Sequence, residues 1–147
     1  MENAGLSKLE RVCSVLEETA LKGDAILSEL MRPWADELPV PEWVHNAITE
    51  LSAYYSSTDF VLRYSFKSEQ ISGADSPFSA AMADFHECSE AVWTLMSELS
   101  TAFKSYCDHA DTSGLTAWRR TFCERYPDML TVTKGLCELC KNMLAVQ

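Results

Sequence analysis

The feature that most constrains this chain is a recurrence of apolar or small residues at alternating steps of three and four: Leu6, Leu9, Cys13, Leu16, Ala20, Gly23, Leu27 and Leu30. Such steps return to one side of a 3.6-residue helix, so the run can hide its oily face only by lying against other elements as a rod. Val12 and Ile26 widen the stripe. Ala20 and Gly23 thin its middle, which predicts either the close approach of a neighbour or a bend. Pro33 disfavours helix at the residue before it and ends the segment near Arg32. The rod is roughly 40 Å long at 1.5 Å per residue.

Three further segments repeat the pattern. Pro33, Pro39 and Pro41 stiffen a connector flanked by Trp34 and Trp43, and Pro41 suits the first turn of a second helix. That helix is predicted to run to about Gln70 on the stripe Val44, Ile48, Leu51, Tyr55, Thr58, Leu62 and Ser65. The weak helix formers Ser56 to Asp59 predict a kink or restart inside it. Ser72 to Pro77 reads as a turn, with Ser76 as N-cap and Pro77 as the first helical residue. The third helix carries Phe78, Ala81, Phe85, Cys88, Val92, Leu95, Leu99, Ala102 and Tyr106, thickened by Met82, Trp93, Met96 and Phe103. Gly114 is read as the residue that closes it. The last segment starts near Leu115 and is read as one helix kinked at Pro127, or two shorter helices split there.

The expected fold is therefore all-α: an antiparallel bundle of about four long helices, the last one kinked or split at Pro127, with residues 1–147 forming one helical-bundle domain. Short connectors favour antiparallel neighbours. The stripes are wide, as in a globular bundle and not a thin coiled coil. A homodimer is compatible with this, because long elements leave apolar surface over.

Charge narrows the partners. The net charge is −10. No Lys or Arg occurs between Arg32 and Arg63 or between Lys67 and Lys104. A surface this acidic repels nucleic acid and anionic membrane, so neither is an expected direct partner; a protein with a basic surface is. There is no apolar run of transmembrane length. The start, Met1-Glu2-Asn3-Ala4-Gly5, has neither the basic region nor the apolar block of a secretion signal. The expected location is the cytoplasm, with the six cysteines as reduced thiols.

Candidate sites are few. Cys137 and Cys140 form a CxxC, two thiols on one helical face that could share a metal or form a redox pair. A zinc site needs four ligands, no second CxxC or HxxxH accompanies this one, and Cys140 belongs to an apolar stripe. His86-Glu87-Cys88 and Cys107-Asp108-His109 look like ligand clusters, but adjacent residues on a helix do not face each other. With Phe85 and Cys88 inward, His86 is expected to point outward. His86 and Glu90 make one i,i+4 pair; the paired Glu-x-x-His motifs of di-iron bundles are absent. No GxSxG, HExxH, P-loop or GxGxxG occurs. No cofactor is expected, and the chain is read as not an enzyme.

The third helix offers more. Asp84, Glu87, Glu90 and Glu98 fall within roughly 120° of one another at 100° per residue. Glu42, Glu50 and Asp59 add carboxylates from the second helix. Trp34 and Trp43 are candidate interface anchors, since Trp is enriched at hot spots. Arg119, Arg120 and Arg125 form the one basic cluster, a candidate to pair with the acidic strip. The expected function is a non-catalytic helical protein-interaction module: a small acidic regulator, inhibitor, adaptor or complex subunit. The candidate partner-binding residues are Asp84, Glu87, Glu90, Glu98, Trp34 and Trp43. One alternative is an acidic nucleic-acid mimic that inhibits a basic target, such as a phage or bacterial defence-related protein. Another is a metal or redox bundle built on its cysteines.

Overall fold

The structure, a computed structural model, describes residues 3–33, 38–65 and 77–145. Four α-helices account for nearly all of them: α1 (Asn3–Met31), α2 (Glu42–Ser65), α3 (Pro77–His109) and α4 (Ser113–Ala145). No strand occurs among the described residues. Each helix packs on the next, and α4 closes the ring on α1. No helix among the described residues is long and apolar enough to cross a membrane.

The core is made from the stripes read in the sequence. Leu16, Ile26, Ile48, Leu51, Tyr55, Leu62, Phe85, Leu95, Leu99, Leu115, Phe122 and Tyr126 are almost entirely buried. On α4 the rings of Trp118, Phe122 and Tyr126 stack at successive turns, with centroids 5.1 and 4.8 Å apart. Tyr55 stacks on Phe85 at 5.1 Å and joins α2 to α3. Tyr55 also reaches across the bundle, its hydroxyl meeting that of Tyr126 on α4. The thin middle of α1 has its counterpart there: a Cβ at Gly23 would overlap the Tyr126 hydroxyl.

Pairs along the helices set their register. Glu18 meets Tyr54 and Lys22 meets Glu50 between α1 and α2. His45 meets Ser100 and Asp59 meets His86 between α2 and α3. The Trp118 indole N–H donates to the Leu95 carbonyl at 2.8 Å, and Gly114 lies against Ala102, between α3 and α4. Arg119 meets Leu30 and Cys137 meets Cys13 between α4 and α1.

The structure departs from three local expectations. The helix α2 runs unbroken through Ser56–Asp59. Thr58 and Asp59 are buried there, and tertiary packing overrides their weak propensity. The expected extension of α2 to Gln70 and the turn at Ser72–Ser76 lie outside the described residues. Gly114 does not close α3. That helix ends at His109, and Ala110 takes the left-handed conformation (φ 55°), its N–H donating to the Tyr106 carbonyl at 2.7 Å. Gly114 sits instead in the first turn of α4, where a Cβ would press to 3.4 Å from that of Ala102. Asp111 accepts from the Ser113 N–H and hydroxyl, and the Thr112 carbonyl accepts from the Thr116 N–H, so α4 starts two residues before Leu115. Finally, α4 is not split: it is one helix through Pro127.

Candidate interaction surface

The acidic strip is real as surface. Asp84, Glu87, Glu90 and Glu98 are all exposed on α3, and no Lys or Arg occurs on that helix before Lys104. Asp84 and Glu87 border an open groove of about 270 Å³ between α3 and α4, shared with Cys88, Arg125, Asp128 and Met129. Glu90 lies one turn along α3 from His86, with its Oε1 3.7 Å from Nε2 of that ring. Glu42 and Glu50 are exposed, and Glu50 pairs with Lys22. Asp59 does not join this surface; it is buried between α2 and α3.

Trp93 was placed in the core stripe by its spacing, and the structure overturns that. Its side is solvent-facing, with 56% of the residue exposed. It lies one turn beyond Glu90, in the acidic helix. Its neighbour Val92 faces inward and is fully buried, and one residue is 100° of arc. The helical angle from Leu95 and Val92 was the signal that could have revealed it. Trp43 is 47% exposed at the start of α2. Trp34 lies outside the described residues.

The basic cluster divides by environment. Arg119 is buried and does not meet the acidic strip. Its Nε donates to the Leu30 carbonyl and its Nη2 to the Arg32 carbonyl, both at 2.8 Å, while its Nη1 donates to the Pro39 carbonyl. A guanidinium presents five donors in a planar fork, which lets one side chain cap the end of α1 and hold the following connector. Arg120 is exposed. Arg125 alone borders the groove with Asp84 and Glu87.

His86 also departs from expectation. It leans onto α2, its Nδ1 2.8 Å from Asp59 Oδ2. The cause is Asp59, a buried carboxylate that needs a donor. His45 is engaged as well, with Nε2 2.8 Å from the Ser100 hydroxyl and its ring 5.6 Å from that of Phe103.

Cys137 and Cys140 lie buried where α4 packs on α1, beside a third thiol, Cys13. The Cys137 thiol contacts the Cys13 carbonyl at 3.7 Å. Burial pushes Cys13 and Cys137 upward and Cys140 up to about 12. Burial, with Asp84 and Glu87 adding to it, pushes Cys88 up to about 11. Such thiols stay protonated at neutral pH and make poor nucleophiles. Among the described residues no group of three or more His, Cys, Asp or Glu side chains is placed to hold a metal ion.

The tyrosines form a directed chain. The Thr133 hydroxyl donates to the Met129 carbonyl at 2.9 Å, so at 2.7 Å it accepts from Tyr55. Tyr55 in turn accepts from Tyr126 at 2.9 Å. Every hydroxyl in this buried path is satisfied, and burial pushes Tyr55 up to about 12 and Tyr126 higher still. The path ties α2 to α4 inside the core.

The chain matches no protein-family model, no curated protein and no solved structure.

Proposed function

We propose that this protein is a non-catalytic interaction module that presents the outer face of α3 to a protein partner with a basic surface. The observation that carries the reading is Trp93: a large ring left 56% exposed on a helix that also exposes Asp84, Glu87, Glu90 and Glu98. Trp93 lies about 60° round the helix from Glu90, so an arginine or lysine of a partner can gain ring contact and charge pairing with that carboxylate together. The one-signed face also speeds encounter with a basic surface. Trp43, and Trp34 in the proline-rich connector of the sequence, are secondary candidates for the same role. The scaffold is read as an antiparallel up-and-down bundle, since along each neighbouring pair residue numbers rise in one helix as they fall in the other. A bend at Pro127 belongs to the same reading, because the ring removes the N–H that would reach the Cys123 carbonyl.

The test is affinity capture with wild-type protein and with Trp93→Ala and Glu87→Lys/Glu90→Lys variants of unchanged circular dichroism. A stoichiometric protein captured by wild type, lost from the variants and released by moderate salt supports the reading. Equal capture by all three, or turnover of a small molecule by a clean monomer, overturns it. The sharper form, in which the carboxylates imitate nucleic-acid phosphates on a basic target, requires in addition that DNA or RNA compete for the captured protein.

A further inference from the structure

Asp59, His86 and Glu90 form a polar cluster where α3 meets α2, and its donors and acceptors do not balance without a cation. The Asp59 side chain is 10% exposed, its Oδ2 lies 2.8 Å from His86 Nδ1, and its Oδ1 is buried without a hydrogen-bond partner. A carboxylate only accepts, so Nδ1 carries a proton and donates it to Asp59. The Arg63 guanidinium only donates, so at 3.3 Å from Nδ1 it makes no hydrogen bond there. It stands as a charge beside Asp59 Oδ2, 3.6 Å away. With Nδ1 committed, a neutral ring has its lone pair at Nε2. That atom faces Glu90 Oε1 at 3.7 Å, one turn along α3. Two acceptors therefore confront each other across a gap that a proton or a metal cation fills.

We propose that His86 Nε2 and Glu90 bind a single divalent transition-metal cation of the Zn²⁺ or Cu²⁺ class. The spacing fits without movement: a cation about 2.1 Å from each of two atoms this far apart subtends roughly 120°, close to a tetrahedral or trigonal angle. An imidazole with a carboxylate is a donor set for these metals. Behind the imidazole stands Asp59, and a carboxylate on the far ring nitrogen fixes the tautomer and raises the basicity of the ligating one. Asp59 comes from a different helix, so α2 orients the imidazole that α3 carries. Glu90 is well exposed and His86 about one-third exposed, which leaves the remaining coordination positions to water. This site stands independently of the partner reading.

The test is titration of the ¹⁵N-labelled full chain with ZnCl₂, following the histidine ring nitrogens, with Cu²⁺ electron paramagnetic resonance as a second readout. One equivalent is expected to shift Nε2 of His86 while His45 and His109 stay unmoved. His86→Ala should abolish the event, and Asp59→Asn should weaken it about 10–100-fold. Should Asp59→Asn compromise folding, the exposed Glu90→Gln variant decides, with binding at least about tenfold weaker expected on the same basis. An unmoved His86 resonance in excess Zn²⁺, binding retained in His86→Ala, or undiminished affinity in Glu90→Gln overturns the proposal.

Discussion

The hydroxyl of Tyr126 on α4 occupies the space that a Cβ at Gly23 on α1 would need. The glycine is required by packing, since it lies inside a continuous helix where alanine would otherwise be favoured. The same hydroxyl begins the donor chain through Tyr55 to Thr133, so the tyrosine cannot withdraw without breaking hydrogen bonds.

Gly23→Ala should therefore destabilise the protein. The helix gains about 1 kcal/mol of propensity, against an overpacking cost of about 1–3 kcal/mol and disturbance of the tyrosine pair. Urea unfolding should show a lower midpoint. Pairing the change with Tyr126→Phe, which removes the clashing oxygen, should recover part of the loss in a double-mutant cycle. A midpoint above wild type for Gly23→Ala alone would contradict the packing role.

Arg119→Met should cost about 2–4 kcal/mol, because it strips a charged donor from the Leu30 and Arg32 carbonyls at the end of α1 and the Pro39 carbonyl of the connector. Arg119→Lys should recover little, since an ammonium cannot reproduce the planar fork. The exposed neighbour is the control: Arg120→Met should stay within about 0.5 kcal/mol of wild type. Equal effects at the two arginines in thermal unfolding would refute the capping assignment.

Alkaline pH should unfold the protein progressively. Cys88, Cys140 and Tyr55 are raised in the folded state to about 11, 12 and 12, from 9.0, 9.0 and 10.0. Above pH 9 the unfolded chain loses these protons while the folded chain keeps them. The unfolded state then binds fewer protons, and the stability of the fold falls with rising pH. The contribution of these groups is whole below about pH 9 and is lost as pH climbs to about 12. Cys140→Ala should flatten that slope in pH-dependent denaturation, apart from its packing cost. An unchanged slope would show that Cys140 ionises as freely folded as unfolded.

Trp93→Ala should leave stability within about 0.5 kcal/mol of wild type, as for other exposed positions. In contrast, truncation of a buried stripe residue such as Leu99→Ala should cost about 2–5 kcal/mol. Comparable melting losses for the two would place Trp93 back in the core and remove the anchor from the proposed surface.

Much of the fold was legible because apolar periodicity is a local signal. The steps of three and four through Leu9, Cys13, Leu16 and Leu27, and again through Phe85, Cys88, Val92, Leu95 and Leu99, name residues that the structure buries. The acidic strip was legible for the same reason, since Asp84, Glu87, Glu90 and Glu98 lie off that stripe and are exposed. Positions at the margins were not legible. Trp93 adjoins the stripe by residue type and leaves it by angle. Asp59 sits among weak helix formers, yet becomes a buried inter-helix partner of His86.

What the sequence determined by itself is the set of amphipathic rods and the sign of their outer charge, because both follow from residue type and a fixed 100° turn. What only the tertiary structure decided is which side chains meet from different rods: Arg119 with the end of α1, Tyr126 with Gly23, and His86 with Asp59. Those contacts join residues tens of positions apart. Their geometry depends on the rotation and offset of whole helices, and local spacing carries no record of either.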